Sequence, residues 1–255
     1  VRGPLNLSVN EECGLLVEGF DTPPSIMMGH ARPYYDALLR GCGLERARDL
    51  LAYRVAPDFE APRVMRRLAE SISGQVRVRP LNRRDKAREL QVLRAIFNDA
   101  WSQNYGFVPF TAEEFNDVGK LMTLLLPEEY VQIAEVDGEP AAFIVAMPNI
   151  HEVSAKLRGR LLPLGWLRLL WGLKVRHPRS ARVPLMGVRR KFQQSRLGPG
   201  LAFMVIDAVR KGLCAHGVRE VELSWILEDN SGMRSIIEAI GGEAYKRYRI
   251  YEKAI

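Results

Sequence analysis

The C-terminal part of the chain, residues 183–255, alternates between apolar runs of strand length and segments with helical spacing. Residues 183–188 and 218–227 are short apolar runs bounded by polar or turn residues, which predicts two strands. Residues 201–216 have apolar side chains at helical intervals, and a shorter helix is expected after Asn230, whose side chain is a good helix cap. An aromatic terminal segment predicts a last strand, so the order is strand, loop, helix, strand, helix, strand.

The preceding segment also mixes strands and helices. Residues 76–79 alternate between valine and arginine, and residues 84–102 have one apolar face, which predicts a strand followed by a helix. Thr111 and Glu114 have the spacing of a capping box, so a second helix is expected to begin there. Asp137-Gly138 between two apolar runs predicts a β-hairpin.

The connection after residues 183–188 is basic and contains glycine. A strand that leads through such a loop into a helix suits a pyrophosphate, because free N–H groups at a helix N-terminus point at the anion. Gly198 and Gly200 are expected to let the backbone approach the phosphates. The alternative is a basic loop that caps an ordinary helix. The other candidate anion-binding residues are Arg189, Arg190, Gln194, Ser195 and Arg196.

These features resemble the GNAT (acyl-CoA N-acyltransferase) superfamily, whose Q/R-x-x-G-x-G/A loop between the fourth strand and third helix holds the pyrophosphate and pantetheine of acyl-CoA. Here the loop reads Ser-Arg-Leu-Gly-Pro-Gly over 195–200, with Ser195 where the family has Gln or Arg, and Gln194 one position early. Asn230-Ser-Gly-Met is similar to the start of the family's helix beneath the pantetheine arm. Many members have a tyrosine general acid seven residues after that asparagine; here the position is Ile237.

A fainter copy of the C-terminal pattern lies near the start of the chain. Gly43 precedes Tyr53 by the interval that separates Gly241 from Tyr251, and a helical pattern precedes each glycine. Repeated units at a domain-length offset indicate duplication. A chance spacing of glycine and aromatic residues is the alternative.

The resemblance and the repeat together imply a tandem GNAT-like protein. Residues 1–60 are expected to be the C-terminal fragment of a first domain that is truncated in this chain, and residues 61–76 a linker. Residues 77–255 are expected to form a complete GNAT-like α/β domain, with a mixed, mostly antiparallel twisted sheet, splayed central strands and flanking helices. An arm is inserted at residues 150–180, where the family has a tight turn.

The resemblance also implies where acyl transfer would occur. A strand end that diverges from its neighbour can offer a backbone N–H to the thioester carbonyl, and the family places this donor between Met186 and Val188. Pantetheine would lie between this strand and residues 218–227, with Asn230 capping the helix beneath it. The co-substrate implied is acyl-CoA, acetyl-CoA or longer.

The candidate acid–base residues lie on and after the second predicted strand. Glu222 and Glu228 are candidate general bases, directly or through water, although surface carboxylates are the alternative for each. Because Ile237 cannot protonate the leaving thiolate, Tyr245 is a candidate proton donor, with Tyr251 or solvent as alternatives. Loss of catalysis is the remaining alternative.

Two further segments have unusual composition. Residues 101–110 are aromatic and, in this fold, border the acceptor cleft; the alternative is a cover over the core. Residues 157–174 mix leucine, tryptophan and arginine without an acidic residue, which is typical of an interfacial helix. Peripheral membrane contact, a lid over an apolar chain, and an arm packed on the first domain are the alternatives for this segment.

Composition narrows the partners only slightly. The chain has 255 residues, a net charge of +7 and 47% hydrophobic residues, as expected of a globular protein with anionic ligands. The three cysteines and four histidines show no metal-binding spacing, so we expect no metal and a cytoplasmic location. No recognition helix or RNA-type aromatic motif is evident, so no nucleic-acid partner is expected.

The sequence therefore predicts an N-acyltransferase that moves an acyl group from acyl-CoA to a small-molecule or lipid-like amine. The alternative, from a different class, is a catalytically silent CoA- or lipid-binding module. The substitutions at Ser195 and Ile237 motivate that alternative.

Overall fold

The computed structural model describes residues 1–254, with the backbone alone for residues 121 and 123–125. Within this range nine strands form one sheet. They are β1 Arg2–Gly3, β2 Leu15–Glu18, β3 Glu45–Val55, β4 Val76–Pro80, β5 Val131–Val136, β6 Glu139–Pro148, β7 Ser180–Val188, β8 Glu220–Leu227 and β9 Glu243–Glu252. The helices are α1 Tyr35–Gly41, α2 Arg63–Ile72, α3 Lys86–Ala100, α4 Ala112–Leu125, α5 His151–Ser154, α6 Gly165–Trp171, α7 Arg190–Gln193, α8 Leu197–Ala215 and α9 Ser231–Ala239.

The strand order in the sheet is β1-β9-β3-β8-β7-β6-β5-β4, with β2 also paired to β9. All the pairs are antiparallel except β7 with β8, which run parallel. Helices α3 and α8 pack on β6 and β7, and α2 packs on α8. The predicted fold class, a mixed and mostly antiparallel sheet flanked by helices, is confirmed.

Local signals place several of these elements correctly. Thr111 and Glu114 form both hydrogen bonds of a capping box at the start of α4. Asp137 and Gly138 both have positive φ, 49° and 81°, as a two-residue hairpin turn between β5 and β6 requires. The predicted strand at residues 76–79 is β4, at the edge of the sheet.

Strand β3, from the predicted N-terminal fragment, lies inside the sheet of the C-terminal unit. It pairs with β8 on one side and with β9 on the other, and its residues Leu50 and Ala52 are fully buried. Residues 1–60 therefore complete the sheet formed by residues 77–254. The structure does not test whether residues 1–60 are a domain fragment, and that division remains a prediction.

The two copies of the repeat have the same local structure. In each, a short helix ends just before a glycine with positive φ, Gly43 at 77° and Gly241 at 85°, and a strand of the central sheet follows. The two strands, β3 and β9, pair antiparallel, and Leu50 lies opposite Tyr248. The shift that superposes Gly43 on Gly241 also superposes Leu50 on Tyr248. The pairing of β3 with β9 is thus locally symmetric about Leu50 and Tyr248, and the duplication itself stays a prediction.

The inserted arm at residues 150–180 connects β6 to β7. It contains α5, the exposed helix α6 and a wide helical turn over Gly172–Arg176. Among residues 1–254, no helix combines the length and apolar character needed to cross a bilayer.

Candidate functional site

The parallel strands β7 and β8 stay together for only four residue pairs. They are in register from Ser180 opposite Glu220 to Val183 opposite Leu223. Beyond that point, β7 continues along β6 and β8 continues along β3. The central strands therefore splay apart, as expected from the sequence, and leave a gap between the ends of β7 and β8.

A cavity of about 750 Å³ occupies this gap, which is within the ~300–1,000 Å³ usual for ligand sites. It follows α8 from Gly198 to Leu213, a distance of about 22 Å at 1.5 Å per residue. Its walls come from β7, β8, α8 and α9. The apolar residues along its length include Val183, Ala202, Ile206, Val209, Leu223, Ile236, Ile237 and Ile240. The cavity is therefore long, with mostly apolar walls.

The end of β7 presents backbone groups to the gap. The Arg189 N–H donates to Ala141 on the β6 side at 2.8 Å. Because donors alternate along an antiparallel strand, the N–H groups of Val188 and Met186 point away from β6. The Val188 and Met186 carbonyls also point away from β6, and they accept from Gln193 Nε2 at 2.7 Å and from Trp101 Nε1 at 2.9 Å, respectively. The predicted donors near Met186 and Val188 thus face the gap where the strands part.

The predicted glycine loop is largely helical. Helix α8 begins at Leu197, so both glycines lie in its first turn and are buried. A Cβ on Gly198 would lie 2.8 Å from the carbonyl oxygen of Phe192, and one on Gly200 would lie 2.5 Å from Cδ1 of Ile72. The space beside each glycine is filled by the protein itself. Close packing against Phe192 and Ile72 therefore accounts for both glycines, and the approach of a phosphate to this turn stays a prediction.

The first amides of α8 are also occupied. Ser195 Oγ accepts from the Leu197 N–H at 3.2 Å, and the Ser195 carbonyl accepts from Gly198 at 3.2 Å. Pro199 has no N–H to offer. The Leu197 and Gly198 N–H groups are thus bonded within the protein, and anion binding at this turn stays a prediction.

The remaining predicted loop residues differ in what they contact. Arg189 pairs with Glu139 at 3.1 Å, and Glu139 also pairs with Lys191 at 2.5 Å. Gln194 is exposed, as are Arg190 and Arg196, and among the described residues no carboxylate pairs with either arginine side chain. These two arginines are therefore available to an anion outside the helix.

Asn230 lies on the opposite wall of the cavity. Its Oδ1 accepts from the Met233 N–H at 3.1 Å and so caps α9, as predicted. The neighbouring Asp229 pairs with Arg48 at 2.8 Å, and both line the cavity. Arg48 comes from β3 and was not singled out by the sequence.

Two of the three predicted acid–base residues are in contact with each other. The Tyr245 hydroxyl donates to Glu222, and Ser224 Oγ donates to the same carboxylate at 2.5 Å. Glu222 is buried on the face of β8 opposite Val221 and Leu223, which line the cavity. Ser224 both lines the cavity and donates a hydrogen bond to Glu222.

Glu228 is not brought to the cavity. It accepts from Arg46 and from the Asp49 N–H at 3.1 Å, so its carboxylate holds β8 to β3. The structure thus brings together Glu222 and Tyr245 and leaves Glu228 apart from them.

The Glu222 carboxylate lies in a buried polar cluster, which consists of Arg182, Glu222, Ser224, Tyr245 and Lys246. Arg182 donates to Ser224 Oγ at 2.8 Å and lies 3.8 Å from Glu222. Burial and the neighbouring Glu222 raise the pKa of Tyr245 far above its usual range, so its hydroxyl keeps its proton. Burial lowers the pKa of Lys246.

A loop of the N-terminal segment covers this polar cluster. Arg182 Nη1 donates to the Ile26 carbonyl at 2.9 Å and the Met27 carbonyl at 3.2 Å. Lys246 Nζ donates to the Pro23 carbonyl at 2.6 Å. Residues 23–27, which we call the strap, therefore separate the polar cluster from solvent.

The aromatic segment 101–110 is divided between the cavity and the core. Its first half lines the cavity, where Trp101 contacts Trp225 edge to face with ring centres 5.5 Å apart. Its second half packs on the core, with Phe107 and Phe110 against Phe97. Tyr105 lies at the cavity wall between the guanidinium groups of Arg2 and Arg48.

Sequence reasoning missed Arg182 and gave Ser224 no role. Side chains two residues apart in a strand share a face, so the spacing of Glu222 and Ser224 was an available signal. A charged residue within an apolar strand is seldom buried without a partner, so Arg182 was a second available signal.

The sheet is antiparallel except for one pair of parallel strands, which diverge and leave a cavity between them. This arrangement is the GNAT fold. The chain superposes on a GCN5-related N-acetyltransferase from Sphaerobacter thermophilus with a TM-score of 0.54, over 90% of this chain and 57% of that one. The sequence identity is 15%, so this likeness concerns the fold alone.

Two curated proteins are similar in sequence along the whole chain. Protein YghO of Escherichia coli K12 is 47% identical over 256 aligned residues, which cover 100% of this chain and 66% of that protein. The bacterial ceramide synthase of Caulobacter vibrioides is 44% identical over 254 residues, which cover 99% of this chain and 66% of that protein. The chain thus spans 66% of the length of each. No protein-family profile matches it.

Proposed function

We propose that this chain transfers an acyl group from an acyl-CoA to the amine of a lipid-like acceptor. The observation that carries the proposal is the cavity that begins where β7 and β8 part and continues along α8 between apolar walls. The similarity to a protein named bacterial ceramide synthase supports a lipid-like acceptor.

The parted strands suit a thioester. The N–H groups of Met186 and Val188 face the gap and would stabilise the oxyanion that forms when the carbonyl is attacked. Trp101 holds the Met186 carbonyl through its indole N–H, so that this part of β7 keeps its orientation. Arg190 and Arg196, exposed between the end of β7 and the start of α8, would pair with the CoA phosphates.

The length and apolar lining of the cavity favour a long acyl chain. Each methylene removed from water stabilises binding by about 0.8 kcal/mol, so that each added carbon should lower KM about fourfold while the cavity has room. The walls that would contact the chain come from one face of α8, which includes Ala202, Ile206 and Val209.

Ser224 and Glu222 would remove the proton from the acceptor. The amine nitrogen attacks the thioester carbon, the carbon–sulfur bond breaks, and the amine proton passes through Ser224 Oγ to the Glu222 carboxylate. The CoA thiolate takes a proton from solvent. Tyr245 contacts Glu222 and does not line the cavity, so it orients the base, and we no longer propose it as the donor to the thiolate.

The experiment measures thiol release from acetyl-CoA and palmitoyl-CoA with a long-chain primary amine as acceptor. Ser224→Ala should lower kcat about a hundredfold, and thermal shift should still detect palmitoyl-CoA binding. Ser73→Ala is the matched control, because its hydroxyl is exposed and donates to the Glu70 carbonyl at 2.9 Å. Unchanged turnover in Ser224→Ala would contradict the proposed route.

A catalytically silent CoA- or lipid-binding module remains the second candidate. The occupied amides of α8, and Ile237 buried where many members of the fold have a tyrosine, favour it. Stabilisation by palmitoyl-CoA without thiol release from any acyl-CoA would decide for this module.

A further inference from the structure

Residues 161–175 expose an unusual amount of apolar surface, and we call this region the arm surface. Eight of the sixteen exposed large apolar side chains in the described chain lie here. Monomeric proteins rarely expose contiguous apolar patches of this kind without a partner. The eight are Leu161, Leu162, Leu164, Trp166, Leu167, Leu170, Trp171 and Val175.

The C-terminal end of helix α6 packs against α5. Gly172 and Leu173 are buried just after it, and a Cβ on Gly172 would lie 2.6 Å from Val153. Close packing at this point fixes the arm surface, while none of the residues of α6 itself is buried. An amphipathic helix normally buries its apolar side, so the exposed tryptophans and leucines of α6 call for a partner.

The charged side chains of the arm that follow Glu152 are all basic. Residues 153–206 contain no aspartate or glutamate. Arg158, Arg160, Arg168 and Arg176 are all exposed on or beside the arm surface. An anionic bilayer would be attracted by these arginines, each strengthening binding by about fivefold. Tryptophan side chains also prefer the boundary between headgroups and acyl chains.

We propose that the arm surface docks onto an anionic lipid bilayer, with Trp166 and Trp171 at the headgroup boundary and the arginines on lipid phosphates. Charge complementarity and exposed tryptophans favour a bilayer over a second copy of this chain, whose facing arm would bring like charges together. The inference goes beyond the proposed function and does not depend on acyl transfer.

The base of the arm contacts both the start of β7 and the strap, which lies over the polar cluster. Glu152 at the base of the arm accepts from the N–H groups of Arg179 at 3.0 Å and Ser180 at 2.6 Å, where β7 begins. The His151 ring lies 3.0 Å from the Pro24 carbonyl in the strap, which covers Glu222. A docked arm would therefore place the strap near the bilayer. Arg189, Arg190 and Arg196, after the opposite end of β7, would lie on the side away from the bilayer.

The test is co-sedimentation of the chain with vesicles of phosphatidylcholine alone, or with a third of phosphatidylglycerol. Wild type should bind the anionic vesicles and bind the neutral ones at least tenfold more weakly. The double variant Trp166→Ala/Trp171→Ala should lower binding to anionic vesicles at least tenfold. The triple variant Arg158→Gln/Arg160→Gln/Arg168→Gln should remove most of the difference between the two vesicle types.

The matched control is Tyr34→Ala/Tyr35→Ala, which also removes two exposed aromatic rings, 59% and 39% exposed, from a surface outside the arm. It should bind vesicles as wild type does, and all variants should melt at the same temperature. Equal vesicle binding by wild type and the tryptophan variant would overturn the proposal. So would a dimer that the same variant dissociates in the absence of vesicle binding. Thiol release with a water-soluble amine tests the proposed function separately and should not change in the tryptophan variant.

Discussion

Removal of the buried arginine at the start of β7 should cost a large part of the stability of the domain. Arg182 is 3% exposed, and its guanidinium donates to Ser224 Oγ, to the Ser224 carbonyl and to two strap carbonyls. Arg182→Met would leave these acceptors unpaired and Glu222 without its cationic neighbour. Breaking a buried ion pair from one side costs about 3–5 kcal/mol, whereas total stability is usually about 5–15 kcal/mol.

The losses of stability caused by substituting Arg182 and Glu222 should also be coupled. Arg182→Met leaves the Glu222 carboxylate buried without its cationic neighbour. The double variant Arg182→Met/Glu222→Gln also removes that carboxylate. The double variant should therefore be less destabilised than the sum of the two single variants, by about 0.5–3 kcal/mol. Asp117→Asn is the control, since its pair with Lys120 is 78% and 74% exposed and should contribute at most about 1 kcal/mol.

The assay is urea unfolding at neutral pH, followed by circular dichroism, with the free energy of unfolding extrapolated to water. A loss below about 1 kcal/mol in Arg182→Met would refute the structural argument that the strap and polar cluster depend on this side chain. Strict additivity in the double variant would refute the coupling between Arg182 and Glu222.

Two further predictions concern acid stability and acyl-chain length. Burial alone would raise the pKa of Asp49, but Arg249 and Arg46 outweigh it and hold that pKa below its usual value of about 3.9. The stabilisation from the Asp49 carboxylate is present above that value and is lost as pH falls through the lower folded pKa. Asp49→Asn should therefore flatten the fall in urea midpoint below about pH 4. Parallel curves of urea midpoint against pH for wild type and variant would argue against this role of Asp49. Ala202→Phe should fill the cavity beside α8 and raise KM for palmitoyl-CoA by at least tenfold while KM for acetyl-CoA changes little, and equal effects on both would show that the acyl chain does not follow α8.

Local elements were predictable where short-range rules decide them. The capping box at Thr111, the hairpin at Asp137-Gly138 and the Asn230 cap each depend on residues within a few positions of one another. The parting of β7 and β8 was expected from the family resemblance. Pairing of the parallel strands ends at Val183, immediately before Pro184, which has no N–H to donate to a neighbouring strand.

The candidate site was predicted only in part because its members meet through long-range pairing. Glu222 and Tyr245 were named separately, and their contact depends on the packing of β8 and β9 on either side of β3. Gly198 and Gly200 were assigned to a ligand, whereas Phe192 and Ile72 fill the space beside them. A glycine in the sequence shows that a side chain is absent at that position. It does not show whether protein atoms or a ligand lie beside its Cα.

By itself, the sequence determined most of the helices and strands after residue 76, the apolar faces of those helices, and that the arm is basic and rich in tryptophan. These properties depend on periodicity and composition, which are local. Only the tertiary structure decided that β3 enters the sheet between β8 and β9, that Ser195 occupies the first amides of α8, and that the strap covers a buried arginine. A strand pattern sets which side chains share a face but not which strand becomes its neighbour, because backbone hydrogen bonds are alike in every pair and the choice depends on packing of the whole chain.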